Sequence, residues 1–237
     1  MESILQTQVP IISVGVLTAD WMSLNAELSI LENAGIRFLH IDVMDGVFCP
    51  MMTMGPPVIK AIKTTLFKDV HLMIENPLDK LESFVAAGAD MITIHVENNP
   101  HCHRVLQVLG KMKNVNDPNR GIVRGIALNP GTPLETISPL LDEVDMIFLL
   151  AVNPGWGGQK FIASTFGRIK LVQEMIRKNN RKIFVGLDGG ITRDNIAQAA
   201  GTGADVIVTG SAVFDGKDPA GNARFILGAI RQYRSKT

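Results

Sequence analysis

Short runs of Val, Ile and Leu recur along the chain, separated by stretches of mixed polarity. They fall at Ile11–Val16, Arg37–Val43, Val70–Ile74, Met91–Val96, Arg124–Leu128, Met146–Ala151, Ile183–Leu187 and Val206–Thr209. Continuous apolar runs of this length predict strands buried on both faces. Between most of them the apolar residues recur at helical spacing, as in Trp21–Asn33 (Leu24, Leu28, Leu31) and Thr165–Lys178 (Ile169, Val172, Met175, Ile176). Gly35, Gly88 and Gly203 each stand where a helix gives way to the next strand, the position that favours a left-handed closing residue. Eight strands alternating with helices in 237 residues predict a (β/α)8 TIM barrel. The rival, a doubly wound open sheet, more often uses five or six strands. No linker or low-complexity segment divides the chain, so residues 1–237 read as a single (β/α)8 barrel domain. The stretch Asn98–Asn119 reads as an enlarged loop after the fourth strand, with a helical piece at His103–Met112.

Composition narrows the class. Hydrophobic residues make up 46% of the chain, ample for a packed core. Lys+Arg and Asp+Glu are both 23, and the absence of a basic excess argues against a nucleic-acid partner. Two cysteines, Cys49 and Cys102, make neither a disulfide framework nor a zinc site. Glu2 and the lack of Lys or Arg before the first short apolar run do not fit a secretory signal. No run approaches the roughly 18 apolar residues that span a bilayer. The expectation is a cytoplasmic protein with no membrane partner.

The informative residues are polar ones late in apolar strands, because the C-terminal strand ends of this barrel carry its chemistry. His40 and Asp42 are two apart and share one face, with Leu39 and Ile41 on the other; His71 and Met73 share a face of the third strand. Asp188 ends the seventh strand. His95, taken alone, reads as a core histidine. Polar burial is costly, and four such residues from three strands argue for a joint purpose. Two imidazoles and two carboxylates suit one divalent ion, whether zinc, manganese, iron(II) or cobalt. Asp42 and Asp188 approach from roughly opposite sides, as a base and an acid that invert a stereocentre would. Gly157 and Gly158, Gly189 and Gly190, and Gly210 with Ser211 lie on the last three strand-to-helix loops, where backbone amides can cradle a phosphate.

Several motifs carry a family resemblance. They are His40-Ile41-Asp42-Val43-Met44-Asp45-Gly46, Gly55-Pro56-Pro57, His71-Leu72-Met73 with Asn76-Pro77, and Asn129-Pro130-Gly131-Thr132-Pro133. Asn153-Pro154-Gly155 with Gly157-Gly158-Gln159-Lys160-Phe161, Asp188-Gly189-Gly190-Ile191 and Gly210-Ser211-Ala212-Val213-Phe214 follow in order. In these the chain resembles the ribulose-phosphate 3-epimerase family, which also includes allulose-6-phosphate 3-epimerase. The resemblance implies an isomerase of the pentose phosphate pathway that inverts C3 of a ketose phosphate through an enediolate. It implies His40, Asp42, His71 and Asp188 as ligands of one divalent metal, and Asp42 and Asp188 also as acid and base. Met44 and Met73 would line the site, the six late-loop residues would hold the phosphate, and the protein would be a homo-oligomer.

The chain departs from the family pattern at Gly15, where a substrate-contacting serine is usual, at Leu150 in place of a methionine, and at Val47, Cys49 and Met51. These changes leave open a hexulose phosphate such as allulose 6-phosphate, or a non-catalytic sugar-phosphate-binding relative. A lysine-dependent decarboxylase of the same barrel type is disfavoured, since Met44 stands where its lysine would be.

Overall fold

The computed structural model describes residues 10–97, 99–179 and 181–234. The reading at Glu2, and Asn98 itself, lie outside the described residues. Eight strands among the described residues pair in chain order into a closed barrel: β1 (Ile11–Gly15), β2 (Phe38–Met44), β3 (Phe67–Met73), β4 (Met91–His95), β5 (Val123–Leu128), β6 (Met146–Leu150), β7 (Phe184–Asp188) and β8 (Val206–Thr209). All pairings are parallel, and β8 closes on β1. The helices are α1 (Leu24–Ala34), α2 (Pro56–Ala61), α3 (Leu81–Ala86), α4 (Cys102–Leu109), α5 (Thr165–Arg177), α6 (Ile196–Ala200) and α7 (Pro219–Arg234). After β5 the connection is a 3₁₀ helix, Leu134–Leu140, with Pro139 inside it. Gly35 and Gly88 close their helices at φ 91° and 96°, as the sequence anticipates.

Alternation along each strand sorts side chains into two layers. Leu39, Ile41 and Val43 of β2, with Val70 and Leu72 of β3, face outward and pack with Leu28, Leu31, Ile59 and Leu81 of the helices. Phe38, Phe67, Met91, Met146, Phe148 and Phe184 face inward and fill the barrel. Each such burial contributes about 1.5–3 kcal/mol. The ring of Phe148 is accommodated because its register partner on β7 is Gly186. A Cβ on Gly186 would run into that ring. Gly186→Ala is therefore expected to cost about 1–3 kcal/mol through overpacking. Thermal unfolding would show this as a fall of about 2–4 °C per kcal/mol; an unchanged midpoint would mean that Phe148 has room to move.

Two differences from the sequence expectation have physical causes. Strand β3 begins at Phe67, three residues before its apolar run, because two charged residues interrupt the pattern without interrupting the strand. Lys68 faces outward and donates from Nζ to the carbonyls of Ile59 (3.0 Å) and Ile62 (2.8 Å) at the end of α2. Asp69 faces inward and is fully buried. The second difference is the stretch after β4. Beyond α4, the side chains of Asn114 (2.9 Å), Asn116 (3.1 Å) and Arg120 (2.7 Å) converge on Asp90 Oδ1, next to the start of β4. That half of the stretch therefore braces the end of the barrel opposite the strand C-termini.

Candidate functional site

The inward positions at the C-terminal ends of β2, β3 and β7 bring His40, Asp42, His71 and Asp188 together. Register sets the arrangement: His40 lies beside Asp69, Asp42 beside His71, and Met44 beside Met73. One donor atom from each of the four lies within 4.8 Å of all the others. His40 Nε2 is 3.2 Å from Asp42 Oδ1 and 3.8 Å from Asp188 Oδ2. His71 Nδ1 is 3.3 Å from Asp42 Oδ1 and 3.6 Å from Asp188 Oδ2. Such edges suit N and O donors about 2.0–2.2 Å from a shared centre.

The loop after β2 is locked in place by short-range bonds. Asp45 accepts from the backbone of Val47 and Phe48, both at 2.9 Å, and from Glu75 at 2.7 Å. Thr53 Oγ1 donates to the Asp42 carbonyl at 2.7 Å and accepts from Met44 N at 2.9 Å. Asp42 is thereby held at the mouth with its carboxylate 16% exposed, and Asp188 at 17%.

Asp69 is the residue that the apolar pattern concealed. Its Oδ2 accepts from His40 Nδ1 at 2.7 Å and from Ser13 Oγ at 3.1 Å. A carboxylate accepts only, so it fixes the proton on Nδ1 and turns Nε2 toward Asp42 and Asp188. The signal was present in the spacing: Asp69 is two before His71, hence on the same face. His95 lies deeper in the arrangement than a lone core histidine. Its Nε2 is 2.9 Å from His71 Nε2 and its Nδ1 is 2.9 Å from Glu97 Oε2.

Electrostatics separate the two central carboxyls. Burial pushes Asp42 up, but the adjacent His40 and His71 imidazoles more than offset it and hold its carboxyl well below the usual range. Burial raises Asp188, and the Asp42 charge adds to it beyond what His40 and His71 offset. For His40, burial opposes protonation, yet the Asp69 and Asp42 carboxylates raise it well above the ordinary value. Burial, reinforced by His71, pushes His95 down to about 4 despite Glu97. Asp42, which together with Asp69 raises His40, also faces the centre of the cluster, where its negative charge attracts a divalent cation as it attracts a proton. His71 Nδ1 is buried, faces both carboxylates and makes no hydrogen bond. Donor set, spacing and this buried, unpartnered nitrogen all fit a metal ion.

The six late-loop residues also come together. Gly157, Gly158, Gly189, Gly190, Gly210 and Ser211 line a cavity of about 540 Å³ together with Asp42 and Asp188. Gly189 and Gly190 have φ of 96° and 68°, and a Cβ on Gly190 would lie 2.8 Å from the Phe161 backbone, so the local turn already demands glycine there. At Gly157, by contrast, a Cβ would meet nothing within 4 Å. Gln159 holds that loop in a ring, donating from Nε2 to the carbonyls of Asn153 (2.5 Å) and Trp156 (3.0 Å). Met44 and Met73 form an apolar wall with Cys49, against which Leu17, Phe48 and Met51 pack. A larger cavity of about 860 Å³, lined by Arg37, Lys63 and Arg120, opens near the strand N-termini and contains none of the four clustered residues.

Comparison with known proteins identifies the family. The ribulose-phosphate 3-epimerase family profile matches residues 11–214. A ribulose-phosphate 3-epimerase of Bacillus subtilis is 39% identical over 206 residues, covering 86% of this chain and 91% of its own. One from Aquifex aeolicus is 40% identical over 205 residues, covering 86% and 89%. Among solved structures, 3-hexulose-6-phosphate synthase from Salmonella typhimurium superposes with a TM-score of 0.68 at 20% identity, covering 94% of this chain and 99% of that one, a likeness of fold. The chain belongs to the ribulose-phosphate 3-epimerase family.

Proposed function

We propose that this protein is a metal-dependent epimerase that converts ribulose 5-phosphate to xylulose 5-phosphate, with Asp42 and Asp188 exchanging the C3 proton. The observation that carries the reading is the approach of these two carboxylates from β2 and β7, with two imidazoles between them, beside a glycine-lined cavity. His40, Asp42, His71 and Asp188 would hold one divalent ion. When bound, it supplies Lewis acidity to the ketose oxygens and so lowers the barrier to enediolate formation.

The chain's own groups perform the proton work. The loop amides around Gly157, Gly158, Gly189, Gly190, Gly210 and Ser211 seat the phosphate and set C3 between the two aspartates. The ionised aspartate removes the C3 proton from one face, and the other, as the acid, returns one to the opposite face. Met44 and Met73 exclude water from the planar enediolate, which otherwise is reprotonated at random.

Proton NMR in D₂O with the metal-loaded protein tests this reading. The C3 proton of ribulose 5-phosphate should exchange as xylulose 5-phosphate appears; binding without exchange would make the protein a sugar-phosphate binder. Allulose 6-phosphate is the second substrate to try. Gly15 borders the cavity and brings no hydroxyl to the sugar, and a Cβ there would just touch the Gly210 backbone at 3.7 Å, so the contact a serine would make is absent for either sugar. A cytoplasmic, single-domain homo-oligomer belongs to the same reading, and light scattering on the eluted protein tests the assembly.

A further inference from the structure

We infer that Glu97 is a positioning residue that, through His95, fixes the protonation pattern of His71 and so aims His71 Nδ1 at the centre of the His/Asp cluster. The inference rests on the metal-site reading above and extends it to two residues outside the cluster.

For two neutral imidazoles the proton placement follows from the hydrogen bonds. Glu97 Oε2 is 2.9 Å from His95 Nδ1, and a carboxylate can only accept, so that nitrogen carries the hydrogen. Neutral His95 then has a lone pair on Nε2. His71 Nε2, 2.9 Å away, must be the donor. A neutral His71 protonated on Nε2 has its lone pair on Nδ1, the atom 3.3 Å from Asp42 Oδ1 and 3.6 Å from Asp188 Oδ2. The two rings are 18° from parallel with centroids 5.0 Å apart, so they meet edge to edge through that hydrogen bond. The two cluster histidines are thus directed differently: His40 by a carboxylate, and His71 by an imidazole with a carboxylate behind it.

Glu97 is itself held. Its side chain is 20% exposed, and its second oxygen accepts from the Asn129 backbone at 2.6 Å and from Thr132 Oγ1 at 2.5 Å. Arg168, from α5, grips the same loop by donating to the carbonyls of Asn129 (3.2 Å) and Thr132 (2.8 Å). The Asn129-Pro130-Gly131-Thr132 motif contributes no residue to the cluster. Its place in the fold is the socket for Glu97.

The test uses the full chain, first stripped of metal. Long-range ¹H–¹⁵N correlation spectra should show His95 protonated on Nδ1 and His71 on Nε2; the reverse pattern in the wild type would overturn the inference whatever the variants do. In Glu97→Ala both rings should shift toward mixed tautomers. Competition with a chromophoric chelator should show cobalt(II) bound up to about 10-fold more weakly than in the wild type, the low end of what losing a ligand's direct outer partner costs. Glu97→Gln, whose one acceptor cannot serve both His95 and Asn129, should fall between them. Unchanged tautomers and affinity in a folded Glu97→Ala would show that Glu97 merely fastens the loop. A wild type that takes up no cobalt would instead sink the metal-site reading, an outcome distinct from the first.

Discussion

Asp188→Asn is expected to stop interconversion while leaving the barrel intact and phosphate binding unchanged. An amide neither accepts nor returns a C3 proton, and loss of one positioned acid–base group typically costs roughly 10²–10⁴-fold. The pair makes a sharper statement than loss of rate. With Asp42 still in place, one of the two epimers should keep exchanging its C3 proton with D₂O without turning into the other, because removal and return then occur on one face only. Asp42→Asn should transfer that residual exchange to the opposite epimer. Full activity in Asp188→Asn would end the two-base assignment, and exchange of both epimers in either variant would end the facial one. Circular dichroism and binding of inorganic phosphate serve as controls for the fold, and elemental analysis for any loss of metal.

The second large effect is expected from His71→Ala, read as metal content rather than turnover. His71 Nδ1 is buried, faces both aspartates and makes no hydrogen bond. Without it the cluster keeps three donors, and a bound ion loses one of its four protein ligands. Zinc or manganese affinity should fall by more than the roughly 10–100-fold typical of losing an outer partner, and the purified variant should carry less than the wild-type complement by elemental analysis. Wild-type stoichiometry and affinity would remove His71 from the ligand set. Removing the ion from the wild type with a chelator should abolish C3 exchange, and adding it back should restore it.

Much of this molecule is legible along the chain because both periods that matter are local. Period-two alternation places His40 and Asp42 on the same side of β2 however the strands are arranged, and His71 shares its side of β3 with Met73. Apolar runs mark seven of the eight strands to within about a residue. β3 is the exception, and its cause is instructive. A charged residue ends a run in sequence, but here Lys68 reaches out to two carbonyls at the end of α2 while Asp69 turns inward beneath His40. The same interruption hid the start of the strand and the carboxylate that orients a site histidine.

Residue type and spacing thus determined the barrel, the faces of its strands and the four chemically unusual side chains at its mouth. Tertiary structure decided their pairing. That His40 meets Asp69 depends on the register of β2 against β3, and that His71 meets His95 depends on β4 lying alongside β3 at the matching height. Glu97 lies just beyond β4 and its socket just beyond β5, 32 residues later in the chain. These contacts are set by strand adjacency and shear around a closed barrel, which no local period encodes. They also place the protons, because each carboxylate settles which nitrogen of its imidazole carries hydrogen and which is left to bind.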